Sequence, residues 1–334
     1  MLIWSTIRIT SIICCAFILF WGMPVHAAAP VILSFAGDCT LGSDDNFGYE
    51  GTLPAVIDIH NGDPGYIFRN VFDVFASDDL TVINLEGTFT VSHDRQPKQF
   101  SFKGPPSYAS FLSHSKIEAA NLANNHSYDY GEQGFRDTLA ALASEKVVYF
   151  GDGITGISDI RGTKIGLLGY YEYDGDELLS RMEQEISALK AVGAFVAVSF
   201  HWGQEGHYYP GADQQYYAHK AIDLGADVVI GHHPHVLQGL EIYRQHLIAY
   251  SLGNFAFGGN MNPHDKRTLI LQLRINPANT KCYMARILPV RISSVEYVNN
   301  YQPTLYNRLE KEDFFDWFQS ISPLALRDEW SLIR

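Results

Sequence analysis

Three of the chain's 13 histidines lie within four consecutive residues, in the segment Gly-His-His-Pro-His at residues 231–235. Imidazole carries protons and binds metals, and imidazole combined with carboxylate suits Zn, Mn or Fe better than Ca or Mg. His233 and His235 have an H-x-H spacing, so in an extended chain both rings would face the same side. This spacing predicts a pair that serves one metal ion or two neighbouring ions. The simpler alternative is that these histidines cap loops through backbone hydrogen bonds.

Polar side chains also follow four other predicted strands, at residues 31–36, 80–85 and 195–200 and around residues 118–122. Short apolar runs at residues 31–36, 80–85, 164–169, 195–200 and 227–230 are predicted to be strands buried on both faces. Ligand sites in open α/β sheets form beyond the carboxyl ends of strands, so the side chains that follow them should lie close together. These side chains are Asp38, Glu86, Asn125, His126 and His201.

Two residues of this region qualify for proton transfer. His126 follows directly on Asn125, and Glu205 lies four residues after His201. A histidine or carboxylate held near a reacting group can act as general acid or base. Either His126 or Glu205 could therefore handle a proton, with an ordinary loop carboxylate as the alternative for Glu205.

The segments between the predicted strands have helical periodicity. Apolar residues recur every three or four positions in residues 178–189, 135–142 and 217–224, and Gly225 follows the last of these as a helix terminator. Strands that alternate with helices indicate a layered α/β fold. After about residue 240, strand-like segments joined by turns predict antiparallel strands that form a second sheet. Residues 305–320 are predicted to form a helix that packs through Phe314, Phe315, Trp317 and Phe318.

Residues 1–27 are predicted to be a signal peptide. Arg8 precedes an apolar run at residues 11–25, and alanines at positions 27–29 offer a cleavage site. The alternative is a retained membrane anchor, although a bilayer span needs roughly 20 apolar residues. Either interpretation places the body of the protein outside the cytoplasm, in the periplasm, at the cell surface or in the medium. Of the two cysteines beyond this segment, Cys39 is expected to be a free thiol rather than to pair with Cys282.

Charge excludes one class of partner. The formal net charge of the 334 residues is −13, and lysine and arginine are not clustered. Nucleic-acid binding requires clustered cations that neutralise phosphates, so we expect no nucleic-acid partner. The same acidity would repel a polyanion unless a metal ion or a local basic groove offsets it.

Six motifs stand in order along residues 31–296. They are Phe-Ala-Gly-Asp at 35–38, Asn-Leu-Glu-Gly at 84–87, Ala-Asn-Asn-His at 123–126, His-Trp-Gly-Gln-Glu at 201–205, Gly-His-His-Pro-His-Val at 231–236 and Ser-Leu-Gly-Asn-Phe at 251–255. In these motifs the sequence resembles bacterial capsule-synthesis proteins of the CapA or PgsA type, which are associated with poly-gamma-glutamate and resemble calcineurin-like metallophosphoesterases. The resemblance implies an α/β fold, a layered αββα metallophosphoesterase-like sandwich with mixed sheets. It also implies one such domain at residues 28–300 and a helical extension at 301–334.

The resemblance also implies a metal scheme with one or two divalent transition-metal ions, Zn, Mn or Fe. Asp38 and His235 would bind the first ion, and His201 and His233 the second, with His232 as the alternative to His233. Glu86 would bridge the two positions and Asn125 would contribute an amide oxygen. His126 would contact the substrate or the leaving-group oxygen.

Two departures from the superfamily pattern leave the number of ions open. The usual D-x-H is here Asp38-Cys39-Thr40, and Ser127 stands where an acid usually follows the Asn-His pair. The implied function is an exported metal-dependent hydrolase of capsule biosynthesis that acts on an anionic polymer or a phosphoester. The alternative is a non-catalytic polymer-binding or export subunit. Membrane subunits of a capsule-synthesis machine are the implied protein partners.

Overall fold

Two large β-sheets packed face to face, with helices on both outer faces, make up the protein. The computed structural model describes residues 28–171 and 175–334. The predicted signal peptide lies outside the described residues. In the part of the chain that the structure describes, no helix combines the length and apolarity that a membrane span requires.

The first sheet contains most of the strands at the two ends of the described chain. Its path runs β17-β16-β15-β1-β3-β6-β7, while β14 pairs with β1 and β18 with β16. Strands β3, β6, β7 and β14 follow the direction of β1 in parallel pairings, and β15 is antiparallel to β1. The strands are β1 Val31–Thr40, β3 Leu80–Leu85, β6 Ala119–Asn121, β7 Val148–Phe150, β14 Asn254–Phe257, β15 Arg267–Asn276, β16 Asn279–Arg291, β17 Thr304–Leu305 and β18 Ser331–Leu332.

The second sheet comes from the middle of the chain. Its order is β12-β13-β11-β10-β9-β8, with parallel pairings among β9, β10, β11 and β13 and antiparallel pairings at both edges. The strands are β8 Gly156–Ile160, β9 Thr163–Tyr171, β10 Phe195–His201, β11 Val228–His232, β12 Leu240–Tyr243 and β13 His246–Ala249. A small third sheet consists of β2 Ser43–Asp44, β5 Phe102–Gly104 and β4 Thr88–Phe89.

The core between the two large sheets explains why their strands are apolar on both faces. Leu33 and Val82 of the first sheet share one buried cluster with Leu167, Ala197 and Ile230 of the second. The opposite faces of the same strands pack against helices, as the separate buried clusters on each side show. A strand that is covered on both faces exposes neither face to water, so its sequence is a continuous apolar run.

The helices lie in two outer layers. The first sheet is covered by α1 Leu53–Ile59, α2 Phe72–Phe75, α3 Ala109–His114 and α4 Gly131–Ser144, with a 3₁₀ turn at Pro106–Tyr108. The second is covered by α5 Asp176–Ala191 and α6 Ala212–Asp223. The periodic segments predicted as helices correspond to α4, α5 and α6. The predicted layered αββα sandwich with mixed sheets is confirmed.

The C-terminal strands depart from the sequence prediction. They do not build a sheet of their own: β14, β15 and β16 complete the first sheet beside β1, and β13 extends the second. The reason is that β15 presents Leu269, Leu271 and Leu273 to the same central core that β1 faces. Pairing with the free edge of β1 therefore buries those leucines and satisfies the backbone of β1 at once.

The predicted C-terminal helix is present as α7, Arg308–Ile321. Asn307 caps its first turn and Glu310 reaches back to the Asn307 backbone, which is a capping box. Phe314, Phe315 and Phe318 join the core between the sheets, and Trp317 packs against it. The domain boundary proposed at residue 300 stays a prediction.

Candidate metal centre

The carboxyl ends of five strands, three from the first sheet and two from the second, meet at one place. Asp38 lies within β1 and Glu86 directly follows β3, while Asn125 and His126 lie in the turn after β6. His201 ends β10, and His233 and His235 occupy the turn after β11. The structure thus brings together the site residues that the sequence placed at separate strand ends.

Gly37 allows β1 to approach the Gly253 backbone closely, and this contact positions Asp38 in the site. The pairing of β1 with β3 shifts register between Phe35 and Asp38, and the Asp38 amide donates to the Gly253 carbonyl at 2.9 Å. A Cβ atom on Gly37 would lie 1.9 Å from that same carbonyl oxygen. Only glycine allows the two backbones to approach this closely.

The histidine turn is not extended as the H-x-H prediction assumed, although the ligand atoms of His233 and His235 still lie within 4.8 Å of each other. Strand β11 ends at His232, and His233 and His235 have φ angles of +95° and +57°. A left-handed backbone at a residue with a side chain is strained and persists where its surroundings fix it. Here the Pro234 carbonyl accepts a hydrogen bond from Gly206 at 2.8 Å. The turn separates the two ring centroids by 5.9 Å.

Asp38 is fully buried and accepts hydrogen bonds from several directions. Its Oδ1 accepts from the Asn84 amide at 2.8 Å, and its Oδ2 accepts from the backbone N–H of His233 at 3.2 Å. The Nδ1 atoms of His232 and His235 lie 3.4 and 3.3 Å from its two oxygens. Burial would raise the pKa of Asp38, but the adjacent imidazoles of His232 and His235 outweigh burial and hold that pKa well below its ordinary value. Asp38 is therefore a carboxylate at neutral pH.

Glu86 lies at the centre of the site and has no hydrogen-bond partner among the described residues on either carboxyl oxygen. Its side chain is fully buried, and Oε1 lies 3.7 Å from Nε2 of both His201 and His235 and 3.9 Å from Nε2 of His126. Burial raises its pKa well above the ordinary value. A buried carboxyl without partners is costly, and a cation between it and the surrounding imidazoles would offset that cost.

Three groups of side chains in the described ranges place their ligand atoms within 4.8 Å of one another. One consists of Asp38, Glu86 and His235, and another of Glu86, His201 and His233. Because Glu86 belongs to both, the arrangement suits a carboxylate that bridges two ions. His232 belongs to none of these groups, so the geometry favours His233 over its neighbour as the ligand.

Asn125 extends the second of these groups. Its Oδ1 lies 2.8 Å from Nε2 of His201. Two atoms that bind the same ion at about 2.1 Å lie roughly 3 Å apart, so this distance suits two ligands of one ion. Burial and then the neighbouring His233 lower the pKa of His201 well below its usual value. The ring is therefore neutral, which is the form that binds metals.

His126 faces the same centre and is oriented by a residue that the sequence analysis missed. Asp129 is fully buried and its Oδ2 lies 2.7 Å from Nδ1 of His126. Asp129 also accepts a hydrogen bond from the Phe102 backbone N–H and forms an ion pair with Lys98. The sequence has no acid directly after the Asn-His pair, but Asp129, three positions after His126, supplies one. An acid at this spacing in a turn was the sequence signal for a residue that orients His126.

Glu205 is exposed, unlike the other predicted site residues. With His233 and His235 it forms the third group of closely spaced ligand atoms. Its position at the mouth of the site is compatible with metal binding as well as with the predicted proton transfer. Its catalytic role stays a prediction.

Cys39 is a free buried thiol, as expected, and Cys282 is also free. The Cys39 thiol donates to the Gly37 carbonyl at 3.6 Å, and burial raises its pKa. A protonated thiol is a poor ligand. Cys39 is absent from the three ligand groups found in the described residues.

An open cleft of about 440 Å³ lies beside these residues. His126, Glu205 and His235 form part of its wall, and Phe100, Phe102 and Phe257 form another part. A ligand in this cleft would contact both the candidate metal centre and the aromatic rings.

Comparison with known proteins confirms the family that the motifs indicated. The family described as "Bacterial capsule synthesis protein PGA_cap" matches residues 32–259. The PGA biosynthesis protein CapA of Bacillus subtilis is 29% identical over 282 residues, which cover 75% of this chain and 73% of that protein. The capsule biosynthesis protein CapA of Bacillus anthracis is 29% identical over 58% of this chain and 54% of its own length.

A more distant relative is the probable polyglutamine synthesis accessory protein of Mycobacterium tuberculosis, 26% identical over 64% of this chain and 66% of that protein. The family match extends from β1 to just beyond β14, and so includes every strand end that contributes to the candidate metal centre. This chain belongs to the bacterial capsule synthesis protein family PGA_cap.

Proposed function

We propose that this protein is an exported, metal-dependent hydrolase that takes part in the synthesis of a poly-gamma-glutamate type of capsule. Support for the capsule role comes from family membership and from the names of the two CapA relatives. Support for export comes from the signal-like pattern of residues 1–27. The substrate is an anionic polymer or a phosphoester, and the working partners are other subunits of the capsule machinery.

One observation carries the chemical part of the proposal. Glu86 is buried without a hydrogen-bond partner among the described residues, and three imidazole Nε2 atoms lie within 3.9 Å of its Oε1. Positive charge is stabilised at this point, and the His235 imidazole shows the effect. Burial opposes its charged form, yet the carboxylates of Glu86 and Asp38 raise its pKa to about 9. Asp38, Glu86 and His235 would hold one ion, and Glu86, His201 and His233 with Asn125 another.

The residues around this centre have separable tasks. A divalent ion bound there would polarise a substrate oxygen and lower the pKa of bound water. The Nδ1–H group of His126 donates a hydrogen bond to the Asp129 carboxylate, so the Nε2 atom faces the centre. Burial lowers the pKa of His126 although Asp129 acts in the opposite direction. The ring is therefore neutral near pH 7 and can accept a proton at Nε2 and return it to a leaving group.

The proposal is tested by metal analysis of gently purified protein, followed by activity assays with phosphoesters and gamma-glutamyl oligomers. We expect at least one tightly bound Zn, Mn or Fe ion and hydrolysis that chelation abolishes and the metal restores. Metal-free protein that gains neither thermal stability nor activity from any of these ions would refute it.

The alternative, a binding or export subunit, has one observation in its favour. The mycobacterial relative is named an accessory protein. The protein is such a subunit if the wild type carries metal but hydrolyses neither substrate class, and if the His126→Ala variant still supports capsule export.

A further inference from the structure

Apart from its histidines, the charged side chains that the described residues place on the wall of the cleft beside the metal centre are acidic. Among the described residues its lining includes Glu205 and Asp265 but neither lysine nor arginine. A chain of gamma-linked glutamates carries a carboxylate on each unit, and such a polyanion requires several cations along its path. The cleft therefore lacks the side chains that a run of carboxylates would need.

Two cations close to the cleft are already paired. Lys98, beside His126, donates to the Asn125 carbonyl at 2.6 Å and forms an ion pair with Asp129. Arg267 binds both carboxylate oxygens of Asp265 at 2.9 Å and stacks over Trp317. Moving either cation towards a ligand would leave a buried or half-buried carboxylate without its partner, which is unfavourable.

Aromatic rings instead extend outward from two of the cleft's histidines, His126 and His235. Phe102 packs on His126 with ring centroids 4.5 Å apart, and Phe100 stacks on Phe102 at 6.2 Å with an interplanar angle of 8°. On the other side, Phe257 packs on His235 at 4.8 Å. Phe100 is 43% exposed, so its face is available to a ligand. Flat apolar surfaces of this kind favour the face of an uncharged ring.

Polar groups near the mouth of the cleft would suit hydroxyl groups on such a ring. Glu205 and His264 line the cleft and are exposed. A carboxylate accepts hydrogen bonds and an imidazole can donate or accept them. The wall thus combines ring faces with a few hydrogen-bonding groups.

We infer that the substrate of this site is a sugar-phosphate type of ester, in which the phosphoryl group lies at the metal centre and an uncharged hydroxylated ring lies against the exposed part of Phe100. This inference rests on the proposed hydrolytic function and narrows its substrate class. Hydrolysis breaks the bond between phosphorus and the bridging oxygen, water supplies a hydroxyl to phosphorus, and the released sugar oxygen takes up a proton. The inference excludes a polyglutamate chain lying along the cleft.

Four probes test this with the metal-loaded protein: glucose 1-phosphate, phenyl phosphate, ethyl phosphate and a gamma-glutamyl oligomer. Calorimetry measures binding and phosphate release measures turnover. We expect glucose 1-phosphate to bind about tenfold tighter than ethyl phosphate. Comparing glucose 1-phosphate with phenyl phosphate distinguishes a preference for sugars from a preference for any ring. Phe100→Ala should reduce the preference for ring-bearing phosphates over ethyl phosphate about 3- to 10-fold, which is the usual effect of losing one aromatic contact. Tyr297→Ala, an 83% exposed aromatic residue that does not line the cleft, should leave every probe unchanged.

The outcomes separate this inference from the proposed function. If ring ligands bind preferentially and lose that preference in Phe100→Ala, but none is hydrolysed, the cleft inference holds and the hydrolase proposal fails. If gamma-glutamyl oligomers bind more tightly with length and weaken with salt, the inference is overturned whether or not hydrolysis occurs. Equal binding of glucose 1-phosphate and ethyl phosphate, or a preference for phenyl over glucose phosphate, also overturns it.

Discussion

Asp129 Oδ2 lies 2.7 Å from Nδ1 of His126, although the two residues are three positions apart in a turn. The hydrogen bond fixes which ring nitrogen faces the metal centre. Asp129 is in turn held by Lys98 and by the backbone N–H of Phe102. Asp129 is therefore a positioning residue that acts through His126.

Asp129→Asn should reduce hydrolysis about 10- to 100-fold without loss of metal, as is usual when the partner of a site histidine is removed. The carboxylate raises the pKa of His126, so its loss lowers that pKa and should shift the acidic limb of the pH–rate profile to lower pH. Asp129→Glu should recover part of the rate and move the limb back. A rate loss with an unmoved acidic limb would mean that Asp129 only supports the fold.

His126→Ala separates catalysis from metal binding. The Nε2 atom of His126 lies 3.9 Å from Glu86, and His126 belongs to none of the three ligand groups found in the described residues. We expect metal content to be unchanged and the rate to fall by a factor on the order of 10² to 10⁴. His201→Ala should instead remove metal, as measured by elemental analysis. Loss of metal from both variants would place His126 among the ligands.

Glu86→Gln tests whether the central carboxylate exists to bind metal. Removing a buried carboxyl that has no hydrogen-bond partner in the described residues should leave the metal-free protein as stable as the parent or more so. The rise in Tm that saturating metal gives the parent should disappear, since binding to the native state is what produces it. Glu118→Gln is the matched control, because Glu118 is a partly buried carboxylate bound to the Thr81 backbone in another part of the first sheet. A metal-dependent Tm rise that survives in Glu86→Gln would contradict the bridging role.

Neighbouring Asp78 and Asp79 should make opposite contributions to the pH dependence of stability. Burial raises the pKa of Asp78 to about 7, so the native state keeps a proton that the unfolded chain releases near pH 4. Stability is then lost as pH rises from about 4 to about 7, by roughly 1 to 3 kcal/mol. The Arg161 ion pair lowers the pKa of Asp79, so its contribution is present above about pH 4 and lost in acid.

Urea unfolding at pH 4.5 and pH 7.5 distinguishes the two. Asp78→Asn should gain stability relative to the parent at the higher pH, whereas Asp79→Asn should be less stable than the parent at both. Parallel pH dependence in Asp78→Asn and the parent would show that Asp78 titrates normally.

The strand ends were predictable because a strand covered on both faces requires an uninterrupted apolar run, and the polar residue that ends the run marks the sheet edge. The residues around Glu86 and His201 show this clearly. The turn at His233 and His235 was not predictable, because a positive φ at a histidine is set by distant contacts such as that between Gly206 and Pro234. An acid three positions after His126 is visible in the sequence, but its contact with the ring depends on where the turn after β6 directs the Asp129 side chain.

The sheet assignment of the C-terminal strands failed for a similar reason. Alternating apolar residues in β15 indicate a strand with one face on a core, but they do not say which edge accepts it. That choice depends on β1, which lies more than two hundred residues earlier in the chain.

The order of strands in the first sheet has a consequence for how the chain matures. Strand β1 pairs with β3 on one side and with β14 and β15 on the other, while the whole second sheet is formed by the chain between them. A growing polypeptide therefore has an open edge at β1 until its last third is available. Glu86 follows β3 of the first sheet and His201 ends β10 of the second, so they come together only when the two sheets pack, and β15 supplies part of the core between them. Metal capture should thus be a late event in biogenesis, and a truncated chain ending before β15 should neither bind the ion nor escape proteolysis.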